Sequence, residues 1–293
     1  MKLYTQRKSS PHRTLIYIFQ QQVRQRLLAV LEDHISKPKD NFFNDLGHAL
    51  VQTYGYLQRS SFEAARTSNN PVIEHYFRCS DEQVLDFFEA AFQNRQYNGG
   101  QDGIDSLNNV LQDTGIGYRF TDYPAKESIG LFFPKKVAVN SGFPEAHRIT
   151  DEHIYQTVVK PAIQFLSEAE FSISHDELLR SLSACRQNEP EDSITLACAA
   201  YESFLKTLLS IKGHSFNKDK DACSRLVKIC IANDILPSFY EQCLISPATI
   251  RNKLGDAHGR GPTKTHEPLV EHSDHMINLV CSNILLLKKC AGL

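Results

Sequence analysis

Arg251-Asn252-Lys253-Leu254-Gly255-Asp256-Ala257-His258-Gly259-Arg260-Gly261 is a polar, glycine-bearing stretch in a half-chain that otherwise reads as a succession of apolar helical stripes. Glycine is a poor choice inside a packed helix, so packing alone does not account for this run. Around it, periodicity and breakers predict helices over 175–187, over 193–212 with Asp192 as cap, and over 221–245, 247–258 and 267–290. Asn188-Glu189-Pro190 and Lys212-Gly213 supply the breaks. Connections this short favour antiparallel neighbours, so the expected fold class is mainly α, with four or five helices of the second half packed as an antiparallel bundle.

Working back towards the N-terminus, Leu15, Phe19, Val23, Leu27, Leu31 and Ile35 recur at helical spacing up to Pro38, and Phe43, Leu46, Leu50, Tyr54 and Leu57 form a second stripe. A third begins at Ser80, where Gln83 completes a capping box ahead of Val84, Leu85, Phe88 and Phe92; a short helix over Ile104 to Leu111 follows the turn Tyr97-Asn98-Gly99-Gly100. From Gly115 the pattern changes to short alternating runs, Gly117–Thr121, Ile129–Phe133 and Val137–Val139, which predict a small β hairpin or wing. Helix returns at Thr150 and runs through Val158, Val159, Ile163 and Phe165, with Pro161 expected to bend it. The domains expected are therefore 1–170, mostly helical with a small β element and a sensing or regulatory role, and 171–293, the bundle.

With 293 residues, 41% of them hydrophobic, the chain is long enough for two packed cores, which excludes a disordered or fibrous protein. The 32 basic and 34 acidic side chains leave a net charge of −2, so no global field points to nucleic acid or membrane. The one local asymmetry is residues 1–31, with Lys2, Arg7, Lys8, Arg13, Arg24 and Arg26 and no acid, which reads as a solvated helix face. No apolar run reads as the roughly 20 residues of a membrane span, Leu15–Phe19 is too short for a signal peptide, and a cytoplasmic protein without membrane contact is expected. Of the eight cysteines, seven lie beyond position 184 inside helical patterns and none forms a CxxC pair, so they read as reduced core residues.

If the helix continues through the polar run, Arg251 and His258 are separated by about 700° of rotation and roughly 10 Å along the axis, on one face but too far apart for one phosphate. A two-fold dimer with antiparallel copies of this helix sets Arg251 of one subunit near His258 of the other. Arginine forks onto phosphate oxygens and histidine exchanges protons near neutral pH, a pairing suited to phosphodiester cleavage without a metal. The alternative is that both residues cap a helix end.

The segment from Arg251 to His258 fits the Arg-x(4 to 6)-His signature of HEPN-superfamily ribonucleases, and the whole run resembles the abortive-infection C-terminal (Abi-C) branch. The resemblance extends to Leu196–Leu209, similar to the family helix bearing a glutamate and a lysine, here Glu202 and Lys206, and so covers about 170–290. The first half, especially Thr150–Ala162, resembles the N-terminal region of AbiJ-type phage-defence proteins. The resemblance implies a metal-independent endoribonuclease of phage defence or a toxin, active as a homodimer without cofactor. RNA would be the substrate, and an antitoxin or phage-derived trigger a possible further partner. It gives His258 a proton-transfer role, Arg251 the charge of the transition state, and Asn252 the orientation of the phosphate or of His258. Glu202 falls either to a supporting catalytic role or to an intrahelical ion pair with Lys206. Asp256 bonds His258 or caps the turn, and Arg260 and Lys264 either hold RNA backbone or sit in a solvated loop.

His258, His266, His272 and His275 lack the spacing of a zinc site, so no metal is expected. Two rivals use the same sequence differently: a non-catalytic HEPN-like module that binds a nucleotide or partner, and a winged-helix reader of nucleic acid relying on Arg24 and Arg26.

Overall fold

The computed structural model describes residues 15–36, 38–54, 70–122, 142–254 and 267–293. The described chain is mainly helical with one two-stranded sheet, and it divides into two compact units, the first ending at His147 and the second beginning at Arg148.

The first unit contains α1 (Gln21–Asp33), α2 (Lys39–Tyr54), α3 (Pro71–Arg78), α4 (Asp81–Gln93), α5 (Gly100–Thr114), β1 (Tyr118–Phe120) and most of β2 (Ala146–Arg148). Its core is built from Leu27, Leu31, Phe42, Leu46, Val84, Phe88, Ile104 and Leu107, all fully buried, so the apolar stripes read from sequence do face one interior. The capping box at α4 forms as expected: Ser80 N–H donates to Gln83 Oε1 (3.0 Å) and Gln83 N–H to Ser80 Oγ (3.3 Å).

Two readings of this half change. The first helix starts at Gln21 rather than Leu15, because Ile16 is held in a parallel bridge beside Ile116, its N–H on Gly115 O and its carbonyl accepting from Gly117, both at 2.8 Å. Gly117 makes this approach possible, since a Cβ there would lie 2.3 Å from the Tyr17 ring. The strand partner of β1 is β2, a stretch too short to show alternation in sequence; Ile129–Phe133 and Val137–Val139 lie outside the described residues, as does Leu57. Glu89 fixes β2 by accepting from Ala146 N–H at 2.7 Å.

Arg24 is 6% exposed, and its guanidinium donates to Phe19 O, Tyr76 O and Cys79 O and pairs with Asp81 at 2.9 Å. It ties α1 to the start of α4 and leaves nothing to offer a nucleic acid, while Arg26 pairs with Asp113 at 3.6 Å. Of the two arginines assigned to a winged-helix reader, Arg24 is thus engaged inside the protein and Arg26 is half-exposed.

The second unit opens with Glu152–Ile154, a π-helical turn Tyr155–Val159 and Lys160–Leu166, which run on as one helix, α6. Where a bend is expected at Pro161 the helix carries this widened turn, which ends two residues before the proline that lacks an N–H and crowds the preceding carbonyls. Residues 148–171, read with the first half in the sequence, pack here against α7 (Ser172–Arg186) and α11 (Val270–Ala291). The remaining helices are α8 (Pro190–Ile211), α9 (Cys223–Ala232) and α10 (Glu241–Leu254).

Helix α8 is the centre of the bundle, packed on α7, α9, α10 and α11, with Ala197, Cys198, Tyr201, Phe204, Leu205, Leu208 and Leu209 fully buried. It starts at Pro190, whose fixed φ suits a first helical position, rather than after Asp192, which sits in the first turn. By length and composition it is apolar enough to cross a membrane, a property the sequence reading missed; here that apolarity fills the bundle core.

The predicted 221–245 helix ends at Ala232, where Asp234 adopts positive φ ahead of Pro237, and α10 then runs through Pro247 without a break. Proline leaves the carbonyl four residues back without its helical donor, and the Ser246 hydroxyl donates to that carbonyl, Cys243 O. The helix that carries Arg251 is thereby one continuous element.

Candidate functional site

Arg251 and Asn252 lie in the last turn of α10, and the described helix stops at Leu254. Asp256, His258, Arg260 and Lys264 lie outside the described residues, as does the continuation of the helix on which the same-face relation of Arg251 and His258 depends.

The Arg251 side chain is partly buried. Its Nη2 donates to Asn252 Oδ1 at 3.3 Å, while its Nε is buried with no hydrogen-bond partner among the described residues. Beside it are Cys198 on α8 and Cys223 at the start of α9, both of which feel the charges of Arg251 and Glu202. Burial pushes the Cys198 thiol up to about 11 and the Cys223 thiol further, against the opposing pull of Arg251, so both stay neutral near pH 7 and give the guanidinium no counter-charge. Among the described residues no carboxylate is in ion-pair contact with Arg251. A cation held this way, low in solvent and with an unused donor, suits an anion that brings its own oxygens.

Glu202 lies about one turn beyond Cys198 on the same helix, and both of its oxygens are engaged. Oε1 meets Lys206 Nζ at 2.9 Å, the intrahelical pair anticipated from the spacing, and Oε2 accepts from Cys223 N–H at 3.2 Å. That N–H belongs to the first residue of α9 and has no partner within its own helix, so Glu202 caps α9 from outside. The structure thus links Arg251 to Glu202 through Cys198 and Cys223, whose thiols feel both charges, Arg251 to Asn252 by their hydrogen bond, and Glu202 to Lys206 by their ion pair.

Glu177 on α7 was not singled out by sequence. It faces Glu202, Ser203 and Lys206, its Oε2 is buried without a hydrogen-bond partner among the described residues, and burial pushes its carboxyl above the ordinary glutamate range. Nothing local marks it, because its isolation is created by the packing of α7 on α8. Of the histidines weighed as ligands, His272 is occupied in accepting from Leu269 N–H at 3.0 Å where α11 begins, and among the described residues no three His, Cys, Asp or Glu side chains are grouped to hold a metal.

Family comparison matches residues 172–291 to the HEPN-like domain Abi_C, a span that takes in α7 to α11 and the whole site just described. Residues 172–291 are an Abi_C-type HEPN-like domain. Residues 2–123 match AbiJ N-terminal domain 4, which covers the helices of the first unit through β1. The chain thus joins an AbiJ N-terminal domain to an Abi_C HEPN-like bundle, the architecture that its sequence resembles, and both are domain types of abortive-infection proteins. No curated protein and no solved structure matches the chain.

Proposed function

We propose that this protein is a metal-independent HEPN-type endoribonuclease of bacterial abortive infection, cleaving RNA at a site in which Arg251 of one subunit works with His258 of another. The observation that supports it is the partly buried Arg251 guanidinium, with an unused Nε and no ion-pair partner among the described residues, at the end of the helix leading into Gly255-Asp256-Ala257-His258.

In this reading the RNA 2′-oxygen attacks the adjacent phosphorus and the 5′-oxygen leaves. His258 takes the 2′-hydroxyl proton or gives one to the leaving oxygen. Arg251 stabilises the charge that builds on the phosphoryl oxygens, the kind of electrostatic term that contributes several kcal/mol. Asn252, bonded to Arg251, orients it. Glu202 holds Lys206 beside the phosphate path, and Arg260 and Lys264 bind flanking backbone, with Asp256 supporting the turn before His258. The AbiJ-type domain is the element that senses an antitoxin or phage-derived trigger.

Induced expression of wild type beside Arg251→Ala and His258→Ala, with total RNA displayed from each culture, tests the reading. Growth arrest with new RNA fragments in wild type alone supports it. Fragments that persist in both variants overturn it, and anion binding lost in Arg251→Ala without cleavage in any chain favours a non-catalytic binding module.

A further inference from the structure

Two carboxylates face Lys206, and only one of them is fully occupied. Glu202 has an oxygen on Lys206 and an oxygen on the N-terminus of α9, so its bonds are those of a structural clamp. Glu177 takes a hydrogen bond from Ser203, yet its Oε2 is buried with no partner among the described residues. A buried carboxylate oxygen left this way is costly, and native structures keep such groups where they have a task.

Among the described residues the groups facing Glu177 are Arg180 on its own helix and Glu202, Ser203 and Lys206 on α8. Burial is the main influence raising its carboxyl, and the like charge of Glu202 adds to it; Ser203, Arg180 and Lys206 oppose. Any anion that engages Lys206 removes part of that opposition and brings a further negative charge. Oε2, having no bond to break, is the atom ready to receive a proton.

We propose that binding of an RNA phosphodiester at Arg251 and Lys206 is accompanied by uptake of a proton at Glu177 Oε2, tying substrate capture to pH. The O–H bond formed at Oε2 takes its proton from the buffer acid, which is left as its conjugate base. This rests on the anion-site reading above, and it assigns Glu177 a positioning role: the residue adjusts the charge around Lys206 without touching the substrate.

The test is calorimetric titration of the full chain with a 2′-O-methyl oligonucleotide lacking a terminal phosphate, between pH 5.5 and 7.5, in buffers of different ionisation enthalpy. Wild type is expected to take up protons on binding and to tighten on the order of fivefold as pH falls, the effect of one charge under near-surface screening. Glu177→Gln is expected to fold at least as stably at pH 7.5 and to lose that share of the uptake, keeping only what other groups contribute. Should Glu177→Gln fail to fold, Glu177→Asp, whose carboxyl is retracted from Ser203 and Lys206, is expected to move the uptake along the pH axis. Uptake unchanged in whichever variant folds, with binding still abolished by Arg251→Ala, overturns the proposal alone. Failure of wild type to bind, or binding indifferent to Arg251→Ala, overturns the anion-site reading and this proposal with it.

Discussion

Replacing Glu202 separates its structural bonds from any part in chemistry. Glu202→Ala removes the acceptor that caps α9 and the partner of Lys206 together. Loss of a helix cap costs about 1 kcal/mol. The i,i+4 ion pair adds about 0.4 kcal/mol, kept small because Lys206 and Glu202 retain side-chain exposures of 31% and 20%. The sum is about 1.4 kcal/mol, which for a bundle of this size lowers the melting temperature by roughly 3–6 °C. Glu202→Gln keeps an oxygen able to accept from Cys223 N–H and loses only the charge, so about 0.4 kcal/mol is expected. Urea unfolding of wild type and both variants at pH 7.5, with slopes compared, gives the three values. Equal losses in the two variants would refute the capping account, because the charge alone would then carry the effect. If Glu202→Gln abolishes RNA cleavage at unchanged stability, Glu202 acts in the chemistry and the clamp assignment fails.

Gly117→Ala forces a Cβ to within 2.3 Å of the Tyr17 ring and is expected to destabilise the first unit by about 2 kcal/mol, with partial recovery when Tyr17→Ala is added; thermal unfolding of the single and double variants checks it. Arg24→Met takes the cation from Asp81, which keeps its hydrogen bond from Phe19 N–H, and the donor from three backbone carbonyls, and about 3 kcal/mol should be lost in denaturant titration, whereas Arg26→Met, removing a half-exposed pair, should change stability by less than about 1 kcal/mol. Asp274 on α11 accepts from the Cys185 thiol at 3.4 Å through Oδ1, its Oδ2 is buried without a partner among the described residues, and burial raises its carboxyl against the pull of Arg148. Because the folded state holds that proton more tightly than the unfolded chain, the group's contribution is present below the usual aspartate range and is lost as pH rises through the raised value. Asp274→Asn should therefore gain on wild type above that window and lose the advantage in acid, as read from stability curves at stepped pH; a constant difference would contradict the direction of the shift.

The helical character of both halves was legible because core-facing residues recur with the period of the helix, and Ser80 with Gln83 marked one start to the residue. Misreadings fell where distant chain decides. Ile16 is drawn out of α1 by backbone groups at 115 and 117, a contact with no local signature. The proline at 247 looked like a break, but the neighbouring Ser246 hydroxyl satisfies the carbonyl that proline strands. At the candidate site, residue chemistry singled out Arg251 and Asn252, and spacing made the Glu202–Lys206 pair legible. The bond from Glu202 to α9 and the isolation of Glu177 were not, since both arise from which helices α8 meets.

The most direct test of the central claim is cleavage of RNA in the presence of EDTA by purified wild type, Arg251→Ala, His258→Ala and an equal mixture of the two variants. The account predicts cleavage by wild type, none by either variant alone, and about a quarter of wild-type activity in the mixture, since half of randomly assorted dimers carry a single intact Arg251–His258 site. Cleavage that requires a metal, or that survives either substitution, contradicts the account, and a mixture that stays silent while wild type cleaves contradicts the shared site.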